Sequence, residues 1–104
     1  MKVGYIRDAR QDESRIYEQK KILSHYNLDK IIVERTGDDL DTLLQSLQPG
    51  DELHVVSIDR LTRSVSKLQT ITNDLNDKNV IIYEKGTPLK IMINPLFFMD
   101  NETT

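Results

Sequence analysis

The sequence contains no cysteine and no tryptophan, and only four glycines and three prolines among its 104 residues. The lack of cysteine excludes disulfide bonds, thiolate metal sites, a cysteine nucleophile and thiol redox chemistry. No apolar run approaches the roughly 20 residues that a membrane-spanning helix needs. The first residues lead directly into a predicted strand, without the layout of a signal peptide. We therefore expect a soluble cytoplasmic protein that forms one domain over residues 1–104.

The charged residues do not strongly favour one sign, and the formal net charge is −3 at pH 7. An acidic chain argues against a non-specific coat for nucleic acid, because such proteins are usually basic overall. The charges are unevenly distributed, however. Five acids and no lysine or arginine lie between Asp38 and Glu52, and the next charged cluster contains Arg60, Arg63 and Lys67. The net charge therefore does not exclude a locally basic site on an acidic domain.

Segments of strand and helix type alternate along the first 84 residues. Strands are predicted at residues 3–6, 31–33, 53–58 and 80–83. Amphipathic helices are predicted at residues 13–26, 40–47 and 65–75. The β-branched run at 31–33 predicts a strand that is buried on both faces. This alternation is typical of an α/β fold with a mainly parallel sheet of four or five strands, flanked by helices.

Local signals indicate where the predicted helices begin and end. Asp38 or Asp39 is predicted to cap the second helix, which ends before residues 49–50, and Ser64 or Ser66 is predicted to cap the third. After Gly86 the alternating pattern stops, and residues 96–99 resemble the beginning of a further element.

The loops after the predicted strands are the expected location of a site, because ligands bind at the carboxyl ends of strands in parallel sheets. These loops are residues 7–15, 35–39 and 59–64. Arginine is frequent in two of them, and its planar guanidinium binds phosphate oxygens bidentately. Arg60 and Arg63 also precede a predicted helix N-terminus, which favours an anion. The pattern indicates a phosphate site, and the alternative that these arginines only pair with nearby carboxylates stays open.

Other chemistries have less support. The glycines are scattered, so the sequence has no glycine-rich phosphate loop. His25 and His54 lie on different predicted elements without ligand spacing, and we interpret His54, inside a strand, as structural. Asp38, Asp39 and Asp41 are interpreted as residues that favour a helix N-terminus rather than as metal ligands.

Several segments, in order, resemble the catalytic domain of the small serine recombinases, the resolvase and invertase family. Residues 4–7, Gly-Tyr-Ile-Arg, resemble the family's opening strand. Gln19, with the segments 22–23 and 29–31, resembles its first helix and second strand. Residues 59–64, Asp-Arg-Leu-Thr-Arg-Ser, resemble the family's most specific motif, Asp-Arg-Leu-Gly-Arg-Ser.

The resemblance implies a defined chemistry and partner. Members of the family cut DNA with a serine hydroxyl, which attacks a backbone phosphate and leaves a covalent phosphoserine and a free 3′ hydroxyl. Arginines neutralise the charge on the phosphate, so no metal or other cofactor is implied. By resemblance, Arg7, Arg60 and Arg63 surround the phosphate. Asp59 orients an arginine, and Gln19 lies at the edge of the site.

The sequence departs from the family pattern within the site. Ala9 stands at the position of the nucleophile, and Asp8 precedes it where the family has a small apolar residue. The family's further arginine, expected between the second strand and the second helix, has no match, and residues 36–43 contain three aspartates instead. Thr62 replaces the glycine of the main motif. We therefore expect no DNA cleavage.

The family continues into a long helix and a helix-turn-helix domain, which we expect this chain to lack after Thr104. The domain is then expected to bind the DNA backbone weakly and without sequence specificity. Whether it is monomeric, forms a homo-oligomer or pairs with a full-length recombinase stays open. Three interpretations remain: an inactive recombinase catalytic domain, a non-catalytic module that modulates an active recombinase, and an unrelated α/β domain that binds nucleotide or phosphate.

Overall fold

The fold is an α/β arrangement built on one five-stranded sheet, and a computed structural model describes it over residues 1–89. The strands are β1 (Lys2–Ile6), β2 (Lys30–Val33), β3 (Glu52–Val55), β4 (Ile81–Glu84) and β5 (Thr87–Pro88). Their order is β2-β1-β3-β4-β5, with parallel pairing among the first four and antiparallel pairing of β4 with β5. The helices are α1 (Glu13–Leu23), α2 (Asp39–Ser46), α3 (Ile58–Leu61) and α4 (Val65–Asp77). The predicted mainly parallel sheet is confirmed.

Two apolar clusters cover the two faces of the sheet. The larger joins β1, β3 and β4 to the leucines of α2 and to Ile71 and Leu75 of α4. The smaller joins Ile6 of β1 to Ile16 and Leu23 of α1. Gly4 faces this smaller cluster, where an added Cβ would lie 2.7 Å from a methyl group of Leu28. A glycine in β1 therefore lets the segment after α1 pack closely against the sheet.

Two predicted strands and one predicted helix differ from the structure. The third strand ends at Val55 rather than at residue 58. Ile58 instead begins α3, and its N–H donates to Glu84 Oε2 at 2.7 Å. The strand β2 is only half buried rather than buried on both faces, because it lies at the edge of the sheet. The first helix ends at Leu23, and the 3₁₀ turn Ser24–Tyr26 follows it.

The caps of α2 and α4 have different origins. Ser64 caps α4 as predicted, since its Oγ accepts the N–H of Lys67 at 3.2 Å. Asp38 occupies the N-cap position of α2, but its side chain makes no capping bond. Asp39 instead folds back onto the N–H groups of residues 35 and 36. The first N–H groups of α2 are bound by the buried carboxylate of Glu34, which precedes the helix in the chain.

The chain beyond Gly86 also differs from the expected end of the pattern, because residues 87–88 form the short strand β5. Residues 96–99, predicted to begin a further element, lie outside the described residues. In the part of the chain that the structure describes, no helix is both long and apolar enough to cross a membrane.

His54 lies inside β3 and is 5% exposed. Its ring stacks between Tyr26 and Tyr83, with centroid distances of 5.8 and 4.7 Å. Its Nε2 lies 2.8 Å from Glu52 Oε1. These contacts join the 3₁₀ turn after α1 to the neighbouring strands β3 and β4, which supports the interpretation of His54 as a structural residue.

Candidate functional site

The strand order creates a crevice between β1 and β3. From β1 the chain passes to β2 on one side of β1, and then crosses back to β3 on the other side. Ligands bind at such a reversal of strand order, just beyond the carboxyl ends of the strands. Residues 7–9 follow β1 directly, and α3 with residues 62–64 follows β3. The topology therefore brings these two segments of the sequence to the same edge of the sheet.

A cleft of about 110 Å³ lies at this edge and is lined by Arg7, Ala9, Asp59, Arg60 and Arg63. We call it the arginine cleft. The structure thus brings together five of the six residues that the sequence indicated. Ala9 lines the same small space as the three arginines.

The sixth residue, Gln19, lies beside the cleft rather than in its lining. It is 5% exposed on α1, and its Nε2 lies 3.4 Å from the backbone oxygen of Arg7. This contact ties α1 to the segment that leaves β1. Gln19 is therefore placed to hold the backbone on which Arg7 and Ala9 are carried.

Asp59 supplies the negative charge in the lining of the arginine cleft. Its carboxylate accepts a hydrogen bond from the Ser57 hydroxyl, and this bond and the charges of Arg60 and Arg63 keep the pKa of Asp59 below its ordinary value of 3.8. The carboxylate is therefore ionised at neutral pH. In this structure Asp59 bonds Ser57, whereas Arg60 forms its ion pair with Asp8.

The Asp8 carboxylate lies near Arg60 but is not in the lining of the arginine cleft, and it was not among the expected site residues. Asp8 is 2% exposed, and its Oδ2 accepts the N–H of Asp12 at 2.9 Å. Its Oδ1 lies 3.9 Å from Arg60 Nη1 and 4.0 Å from Arg15 Nη1. An acid in place of the family's apolar residue was the one signal in the sequence that pointed to it.

Arg7 also lines a second cleft, of about 170 Å³. Arg7 and Lys67 are the cationic residues in its lining, and Gly37 brings the loop of residues 35–39 to it. Glu34 and Tyr5 also line this cleft. Burial and the hydrogen bond to Glu34 raise the pKa of Tyr5 above its ordinary value of 10.0. Lys67 belongs to the basic cluster noted in the sequence, whereas Glu34 was not expected at a site.

Asp38, Asp39 and Asp41 lie at the start of α2. Within residues 1–89, the structure has no group of three histidine, aspartate or glutamate side chains arranged to hold a metal ion. The Asp39 carboxylate accepts two backbone N–H bonds, from Arg35 and Thr36, which lower its pKa below 3.8. Its contacts are those of a residue that shapes the turn before α2.

The family model of the resolvase N-terminal domain matches residues 2–88, which include all five strands and both clefts. The chain belongs to the resolvase family. This domain is the catalytic domain of the serine recombinases, and DNA is the partner of the family. The resemblance to this family is thereby confirmed, and the interpretation as an unrelated α/β domain is wrong. No curated protein matches this resolvase domain.

Proposed function

We propose that this resolvase domain binds the DNA backbone in the arginine cleft and does not cleave it. The observation that carries the proposal is that Ala9 lines the same cleft as Arg7, Arg60 and Arg63. In serine recombinases a hydroxyl attacks the phosphorus, and the methyl group of alanine has no lone pair with which to do so. The chain retains the groups that bind a phosphate and lacks the group that breaks the bond.

The remaining residues of the site support phosphate binding. The guanidinium groups carry a permanent charge and donate paired N–H groups that match phosphate oxygens. Asp59, which is ionised and held by Ser57, leaves the five residues that line the cleft with an excess of positive charge. Gln19 holds the backbone oxygen of Arg7 and so fixes the approach of β1 to the cleft.

Binding is tested with a fluorescein-labelled DNA duplex, whose fluorescence anisotropy is followed at low ionic strength. The double variant Arg60→Gln/Arg63→Gln is expected to bind at least about tenfold more weakly, because hydrogen bonds to charged groups contribute roughly 1.5–3 kcal/mol each. Its salt dependence is also expected to be shallower, since fewer counterions are released. The matched control is Lys2→Gln/Lys30→Gln, which removes the same charge from exposed positions where β1 and β2 begin.

The DNA affinity of the control variant is expected to stay within about twofold of that of the unmodified chain, because charges far from the cleft act on the DNA only through screened, long-range electrostatics. Equal losses in both double variants would mean that net charge, not the arginine cleft, determines binding. If the chain and both variants bind no DNA, the alternative is favoured: a non-catalytic module that acts through an active recombinase.

Cleavage is tested on a nicked DNA substrate, with a denaturing gel to detect protein covalently attached to DNA. We expect no adduct from this chain, and an active serine recombinase on its own substrate provides the positive control. An adduct would show that another residue acts as the nucleophile. Peptide mapping of the phosphorylated residue would then identify it.

A further inference from the structure

Asp8 is the most buried charged residue among residues 1–89, and its two carboxylate oxygens have different surroundings. The residue is 2% exposed, and its Oδ2 accepts the N–H of Asp12 at 2.9 Å. The other oxygen, Oδ1, faces two cations.

These two cations come from different elements of the fold. Arg60 Nη1, from α3, lies 3.9 Å from Asp8 Oδ1, and Arg15 Nη1, from α1, lies 4.0 Å from it. Both distances exceed the length of a hydrogen bond, so the attraction is that of neighbouring charges. Arg60 also lines the arginine cleft. One guanidinium therefore faces both the internal carboxylate and the space in which a phosphate would bind.

We propose that Asp8 acts as an internal anion of the arginine cleft, which competes with a DNA phosphate for Arg60 and so weakens binding of the DNA backbone. This inference rests on the proposed function of the cleft. A buried charge is screened less by water and salt than an exposed one, so Asp8 reduces the positive potential of the cleft more than a surface acid does. Asp8 is then a determinant of affinity that contacts no DNA.

The test is the isosteric variant Asp8→Asn, whose amide oxygen still accepts the N–H of Asp12 while the charge is removed. With the labelled duplex at low ionic strength, we expect binding to become roughly three- to tenfold tighter. The matched control is Asp12→Asn, which removes an exposed charge from the same loop. Asparagine also retains the cap of α1, which Asp12 provides by accepting the N–H of Ser14 at 2.9 Å. The control is expected to change affinity less than twofold.

The contribution of Arg60 is isolated by repeating both substitutions in an Arg60→Gln background, where most of the gain from Asp8→Asn should be lost. Weaker binding by Asp8→Asn would overturn the inference, because Asp8 would then hold Arg60 in its binding position. An effect equal to that of Asp12→Asn would also overturn it. Thermal unfolding confirms that each variant is folded, and Asp8→Ser, whose hydroxyl also accepts the Asp12 N–H, replaces Asp8→Asn if the latter does not fold.

The same measurements separate this inference from the proposed function. If Arg60→Gln/Arg63→Gln weakens binding and Asp8→Asn does not strengthen it, only the role of Asp8 is wrong. If the arginine variant binds as tightly as the unmodified chain, the proposed function itself is wrong.

Discussion

Two buried carboxylates lie just beyond the carboxyl ends of neighbouring strands, and they are satisfied in different ways. Glu34, after β2, is 8% exposed and accepts hydrogen bonds from the Tyr5 hydroxyl and from the N–H groups of residues 37, 39 and 40. Asp8, after β1, is 2% exposed and accepts one hydrogen bond from within residues 1–89, from the N–H of Asp12. Both oxygens of Glu34 accept two hydrogen bonds each, whereas one oxygen of Asp8 faces two arginines. We therefore expect substitution of Glu34 to change mainly the stability of the fold, and substitution of Asp8 to change mainly the affinity for DNA.

The largest expected effect is that of Glu34→Gln on stability. An amide NH₂ would face backbone N–H donors at the start of α2, so we expect the free energy of unfolding to fall by roughly 2–4 kcal/mol. Urea denaturation measures this loss. Asp8→Asn is expected to lower the free energy of unfolding by less than about 1 kcal/mol, because it disrupts a single hydrogen bond at most. Equal losses of unfolding free energy in the two variants would show that the two carboxylates contribute equally to stability, which contradicts the proposed difference.

A smaller loss is expected from Tyr5→Phe, which removes the hydroxyl that donates to Glu34 at 2.8 Å and leaves the ring in place. We expect the free energy of unfolding to fall by about 1–2 kcal/mol, since one bond to a charged acceptor is lost. Duplex binding should be unchanged, because Tyr5 is not in the lining of the arginine cleft. A change in stability near zero would show that the three backbone donors alone satisfy Glu34.

The smallest effect on stability is expected from an ion pair where β1 and β3 begin, at the ends of these strands opposite the arginine cleft. It joins the Met1 amine to Asp51 at 2.8 Å. Their hydrogen bond raises the pKa of the amine above 8.0 and lowers the pKa of Asp51 below 3.8. The amine's contribution to stability is present below pH 8 and is lost as the pH rises through its raised pKa. The contribution of Asp51 is present above pH 3.8 and is lost as the pH falls through its lowered pKa.

The difference in unfolding free energy between the unmodified chain and Asp51→Asn should therefore be constant from pH 5 to 7 and should shrink at both extremes, as the two groups lose their charges. Urea denaturation across this range measures it. A difference in unfolding free energy that changes sharply near pH 6 would mean that another titrating group determines the contribution of Asp51 to stability.

The sequence was sufficient to predict the alternation of strands and helices and to place Arg7, Arg60 and Arg63 near one another. Arg7 directly follows β1, and Arg60 and Arg63 lie in the segment after β3 that includes α3. The carboxyl ends of parallel strands share one edge of the sheet, so these two segments meet there. The end of the third strand was not predicted, because the N–H of Ile58 is bound by Glu84 from β4. The two residues are 26 positions apart, so the residues around Ile58 carry no sequence pattern that predicts the contact.

The buried carboxylates show the same limit at the site. Local sequence rules favour Asp38 or Asp39 as the cap of α2, since short acidic side chains reach nearby N–H groups. Glu34 takes that role because its longer side chain enters the core from the end of β2. The pairing of Asp8 with Arg60 joins β1 to the segment after β3, so it depends on the strand order, which hydrophobic periodicity does not specify.

The most direct test of the central claim is an NMR titration of the ¹⁵N-labelled chain with a short DNA duplex at low ionic strength. We predict that the amide resonances of residues 7–9 and 59–63 shift together and saturably. Residues of both segments line the arginine cleft, whereas Lys2 and Lys30 lie where β1 and β2 begin, at the opposite ends of these strands. Shifts confined to the region around Lys2 and Lys30, with none in residues 7–9 and 59–63, would contradict it.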